Sequence, residues 1–203
     1  MPNVFAADPA NIFGCEPKPG DRLAVRMRGR LPFGGDADDQ FDSPDAFDPD
    51  HLPDPGPFLT DHDVLTGDAH VSFHDVTTEI FERRGVYDMT FGYNLAKLNL
   101  DRRHPEAGYR YARDRDDPRI VRAAFAPTTP FCPQAHTLAT GSFRAWNGLR
   151  DEYDYDRVRV RIDAMHHDSA SINELLSGLE EELDRTGVIA EPAERPTEDA
   201  PPF

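Results

Sequence analysis

Between Asp68 and Arg84, Val71, Val76, Ile80 and Phe81 recur at near-helical spacing, and the run stops at Gly85, a helix C-cap signal. This segment predicts a helix. Gly108-Tyr-Arg-Tyr-Ala and Arg119-Ile-Val-Arg-Ala-Ala-Phe-Ala are separated by the charged turn RDRDDP, with Pro118 at the bend, which predicts a β-hairpin. Pro127-Thr-Thr-Pro-Phe-Cys-Pro predicts a loop. After it Leu138, Phe143, Trp146 and Leu149 take amphipathic spacing, with Pro133 expected in the first helical turn, where its missing N–H costs nothing. Asp156-Arg-Val-Arg-Val-Arg-Ile-Asp alternates strictly. Val158, Val160 and Ile162 share one face and Arg157, Arg159 and Arg161 the other, the pattern of a half-buried strand. Leu175, Leu176, Leu179 and Leu183 then form a last helix stopped by Gly187. The order helix, hairpin, helix, strand, helix predicts an α+β fold: a small single sheet, the hairpin plus one further strand, with one face covered by about three helices.

The flanks read differently. Residues 1–62 are rich in Pro, Gly and Asp and are expected to form an acidic arm, docked on the folded domain by Phe33, Phe41, Phe47 and Phe58. Residues 63–189 are the expected domain, and 190–203 an acidic tail expected to be disordered. The chain carries 22 Lys+Arg against 38 Asp+Glu, a net charge of -16, with Lys only at positions 18 and 97. Such a surface repels phosphate backbones and anionic membranes, so neither nucleic acid nor membrane is expected as a partner. Dense Asp with scarce Lys also suits solubility at high salt and points to a halophilic cytoplasm. No apolar run approaches the roughly 18–20 residues that span a bilayer, and the N-terminal residues lack a basic segment followed by an apolar one. A cytoplasmic location is the expectation. The two cysteines, Cys15 and Cys132, are too few and too far apart for a disulfide scaffold.

Two stretches resemble a known family. Val86-Tyr-Asp-Met-Thr-Phe-Gly-Tyr-Asn-Leu-Ala-Lys-Leu-Asn-Leu100 aligns without a gap to the V-I-D-P-E-L-G-I-N-I-V-D-L-G-L motif of the SufT/PaaD-type iron-sulfur assembly domain, also called domain of unknown function 59. It keeps Asp88, Gly92, Asn94, Leu98 and Leu100. Thr128-Thr-Pro-Phe-Cys-Pro133 matches that family's T-T-P-G-C-P at all but one position. The strand Val158 to Ile162 and the helix after it follow in the same order, so the resemblance covers roughly residues 68 to 187. The family's Pro-Glu pair is replaced by Met89-Thr90, and its second acidic position by Lys97.

The resemblance implies a non-enzymatic iron-sulfur accessory protein. In that role Cys132 transiently holds a cluster, iron or sulfur for client apoproteins and the assembly machinery, with Asp88, Thr128 and Thr129 lining its pocket. One thiol falls short of the four ligands typical of clusters, so a homodimer, an external thiol or a partner has to complete the coordination. The residues make their own case for Cys132: at a helix N-terminus, orphan N–H groups and the macrodipole favour thiolate, and Pro130 and Pro133 fix the loop. His136, four residues on, is expected to share a helix face with Cys132 and is a candidate metal ligand; Cys15 is another. His70 with His74, and His166 with His167, read as core or solvated histidines. Two alternatives stay open: a cysteine enzyme using Cys132 and His136 as thiolate and base, and a structural adaptor in which Cys132 is vestigial.

Overall fold

The computed structural model describes residues 40–43 and 48–189. Cys15, Phe33, Phe47 and the 190–203 tail lie outside the described residues. The architecture is α+β. Its four-stranded sheet runs β1 (Asp63–Val64), β4 (Gly108–Arg113), β5 (Ile120–Ala126), β6 (Arg157–Ile162), and a separate two-stranded ribbon pairs β2 (Tyr87–Asp88) with β3 (Tyr93–Asn94). The helices are α1 (Pro57–Thr60), α2 (Gly67–Arg84), α3 (Ala135–Gly148) and α4 (Ser169–Thr186).

The expected order is present: α2, the β4–β5 hairpin, α3, β6, α4. α2 ends where the sequence predicts, on Gly85 in the left-handed region (φ 68°), whose N–H donates to the Phe81 carbonyl. β4 and β5 are antiparallel, whereas β5 and β6 are parallel, because α3 carries the chain back to start β6 at the same end as β5. The short helix α1, the short strand β1 on β4 and the β2–β3 ribbon were not legible in the pattern. Strands of two residues have no periodicity to read.

The core lies on one face of the sheet. Tyr109 and Tyr111 of β4, Val121, Ala123 and Phe125 of β5, and Val158, Val160 and Ile162 of β6 meet Phe73, Ile80 and Phe81 of α2, Phe143 and Trp146 of α3, and Leu176 of α4. Parts of the acidic arm dock as the aromatic residues predict. Phe41 bridges Asp101 and sets its ring edge-on to Tyr93 at 5.6 Å, and Phe58 of α1 lies over the guanidinium groups of Arg122 and Arg161. Among the described residues no helix is long and apolar enough to cross a membrane.

β6 closes the sheet, and its outer edge is not left open. The Asn147 side chain on α3 accepts from the Val158 N–H at 2.9 Å and donates to the Val158 carbonyl at 2.8 Å. Asn173 on α4 does the same for Ile162, at 2.8 and 3.0 Å. Two side-chain amides thus stand where a further strand would pair.

Candidate functional site

β5 ends at Ala126 and the chain turns through buried Pro127 into an exposed tip, Thr129 to Phe131, before Cys132 turns back against the core. The Cys132 N–H donates to the Thr129 carbonyl at 3.4 Å, and the Cys132 carbonyl accepts from Ala135 at 3.2 Å. α3 begins at Ala135 with Gln134 as its N-cap. Cys132 and Pro133 therefore sit in the turn ahead of the helix, which corrects the expectation of Pro133 in the first helical turn.

The loop after β6 holds this turn from behind. His166 is buried; its Nδ1 accepts from the Asp168 N–H at 3.2 Å, so Nε2 carries the proton and donates to the Cys132 carbonyl at 3.2 Å. His167 donates twice to the Pro130 carbonyl, from its backbone N–H at 3.0 Å and from Nδ1 at 2.8 Å. Both histidines are spent on carbonyls that shape the loop.

On the opposite side lies the β2–β3 turn. Asp88 is buried, and its carboxylate accepts from the N–H groups of Thr90 at 2.7 Å and Phe91 at 3.3 Å, while Gly92, at φ 70°, completes the reversal. Asp88 therefore shapes the turn. Gln134 joins that turn to the cysteine loop: its Oε1 accepts from the Met89 N–H at 3.2 Å, and its Nε2 donates to the Thr90 hydroxyl at 2.6 Å. The two motifs singled out in the sequence thus meet across one side chain. Met89, 80% exposed, and Phe131, 71% exposed, flank the junction, with Met165 beside His166. All three of these large apolar side chains are exposed.

The other candidates divide. Thr128 is half-buried and lines a cavity of about 340 Å³ with Asp54, His104, Glu106, Asp163 and Met165. Thr129 is exposed and contributes its carbonyl to the cysteine turn. His136 is exposed in the first turn of α3, and because Cys132 precedes the helix, the two do not share a helix face as the spacing suggested. Among the described residues no group of three or more His, Cys, Asp or Glu side chains is arranged to hold a metal ion, so His136 and Cys132 make no metal centre by themselves. Cys15 lies outside the described residues. His70 and His74 are core residues. Their rings stack at 5.8 Å, and His74 lies between the Tyr111 hydroxyl at 2.9 Å and the Ala96 carbonyl at 3.0 Å. Burial holds His70 down to about 4, helped by Arg110, and His74 down to about 3, helped by His70.

Sequence reading missed Gln134, His166 and His167 as the residues that set the loop. Gln134 directly follows the Cys-Pro pair, the one local signal that could have marked it. A comparison with family models matches residues 39–190 to a domain of unknown function (DUF7998). No curated protein and no solved structure matches the chain.

Proposed function

From the premise that this chain belongs to the DUF7998 domain family, we propose that it is a non-enzymatic accessory protein of iron-sulfur assembly, in which Cys132 carries a cluster, iron or sulfane sulfur to client apoproteins. The observation that carries the reading is the junction at Gln134, which holds Met89 and Thr90 of the first motif against the Thr128 to Pro133 loop of the second. The resemblance supplies the chemistry, and the loop supplies a fixed thiol framed by prolines. The cargo is soft or borderline iron and sulfur, for which a thiolate is the matching donor.

Among the described residues Cys132 is the one thiol, and no three-ligand group stands near it. Coordination is completed by a second copy, an external thiol or the client, and an incomplete site is what a carrier needs in order to release what it holds. Exposed Met89, Phe131 and Met165 suit contact with a client at the moment of transfer. A cysteine enzyme using Cys132 and His136 is disfavoured because Cys132 precedes α3 and shares no helix face with His136, while His166 and His167 donate to the carbonyls of Cys132 and Pro130.

Anaerobic reconstitution of the full chain with ferrous iron and sulfide tests the proposal. Wild type is expected to develop a visible charge-transfer absorption or, with a sulfur donor, a persulfide detectable by mass, and Cys132→Ser to lose both. A wild type with neither, or a Cys132→Ser variant that retains them, overturns it.

A further inference from the structure

The sheet face turned away from the core helices carries arginines in a chain of net charge -16. Arg122 of β5 stands directly opposite Arg159 of β6, and Ala124 is paired with Arg110 on one side and Arg161 on the other, with Arg157 two residues before Arg159 along β6. Like charges opposite each other on neighbouring strands, some 4.7–4.9 Å apart, repel. Three of the five arginines have carboxylate partners: Arg122 with Asp114 at 2.7 Å, Arg161 with Glu180 at 2.5 Å, and Arg157 with Asp184. The Phe58 ring adds a face for two of them, 4.9 Å from the guanidinium carbon of Arg122 and 5.2 Å from that of Arg161.

Arg159 is the exception at the centre. Its neighbours on the face are Arg122, Arg157 and Arg161, yet among the described residues its side chain makes no ion pair or hydrogen bond, and its Nε is buried without a partner. The Nε atoms of Arg110, further across the face, and of Arg157, whose terminal nitrogen pairs with Asp184, are buried without a partner as well. Buried donors of this kind cost free energy until an acceptor reaches them.

We propose that Arg159, with Arg122 beside it, binds a small phosphate-type oxyanion on this face. Guanidinium forks match the oxygens of a phosphoryl group, and an anion here gives Arg159 the acceptor and countercharge that Asp114 already gives Arg122. The side chains of Arg122, Arg157 and Arg161 are only 16%, 23% and 19% exposed, and the strip is bounded by Phe58 of α1 and by Glu180 and Asp184 of α4. A polyanion is excluded by the charge of the rest of the molecule. The proposal stands independently of the role given to Cys132.

The test is calorimetric titration of the full chain with inorganic phosphate at fixed ionic strength, with chloride as control and glycerol phosphate as a second arm. Wild type is expected to give saturable binding of phosphate, and Arg159→Gln to weaken it at least about tenfold. Equal binding of glycerol phosphate would identify a phosphoryl group on a small molecule as the ligand, and binding of phosphate alone the free ion. Should Arg159→Gln fail to fold, wild type labelled with ¹⁵N-arginine gives the answer: phosphate is expected to shift the Arg159 Nε signal ahead of all other arginines. No binding above the chloride control, unchanged binding in a folded Arg159→Gln, or shifts confined to other arginines would overturn the proposal.

Discussion

Gln134 carries more of the site than its type suggests, because one amide joins two loops that are far apart in sequence. Replacing it with Ala is expected to lower stability by about 1 kcal/mol and to speed amide exchange at Met89, whose N–H loses its acceptor; unchanged exchange there would show that the junction is not held by this residue. Asp88 gives a sharper test. Its carboxylate accepts two backbone N–H groups, and Asn keeps an oxygen in the same place. Asp88→Asn is therefore expected to unfold near the wild-type midpoint and to load iron and sulfide normally, whereas Asp88→Ala is expected to lose about 1–2 kcal/mol. Normal stability with abolished loading in Asp88→Asn would return the carboxylate to the chemistry. At this scale Cys132 was legible, since a thiol between prolines in a loop stands out in the sequence. Its supports were not. Nothing local says that His166 and His167, more than thirty residues on, donate to that loop's carbonyls.

Among the elements, β6 joins pattern to stability most directly. Its strict alternation announced a strand with one buried face, and that is what forms. The alternation does not say what protects the edge. Asn147 is buried and makes three hydrogen bonds, to the Phe143 carbonyl and to both backbone groups of Val158. Asn147→Ala is expected to cost about 2–4 kcal/mol in urea unfolding and to raise self-association in size-exclusion chromatography as the edge opens; a loss below about 0.5 kcal/mol would contradict the edge-capping role. The main helices, the hairpin and β6 were legible because each runs long enough to repeat its period. α1, β1 and the β2–β3 ribbon were not, since they are fixed by long-range pairing and by turn residues such as Gly92. The start of α3 was misplaced for a related reason: Pro133 is tolerated both in a first helical turn and in the turn before it.

For the whole molecule, acid is the expected weakness. The folded values of His70 and His74, about 4 and about 3, lie below the ordinary 6.5, so the unfolded chain takes up protons that the folded chain refuses. The stability at stake is whole above 6.5 and drains away as pH falls toward 4. Asp42, Asp101 and Asp114, held below 3.8 by hydrogen bonds and charge from His51, Arg102, Arg103 and Arg122 against an opposing burial effect, add their loss only at lower pH. Urea unfolding at pH 7.5 and pH 4.5 is expected to differ by about 3–5 kcal/mol, and equal midpoints would show that the two histidines are not buried neutral. The acidic composition argues on electrostatic grounds against nucleic acid and membrane as partners, but it does not show that β4, β5 and β6 gather five arginines on one face. The central claim, that Cys132 is the residue through which this protein carries iron or sulfur, is tested most directly on protein purified without oxygen from its native source. Iron and sulfane sulfur per chain are measured in wild type and in a chromosomal Cys132→Ser strain. Chain-bound iron or sulfur in wild type that falls to background in the variant is the predicted result, and equal content in the two, or none in either, would contradict it.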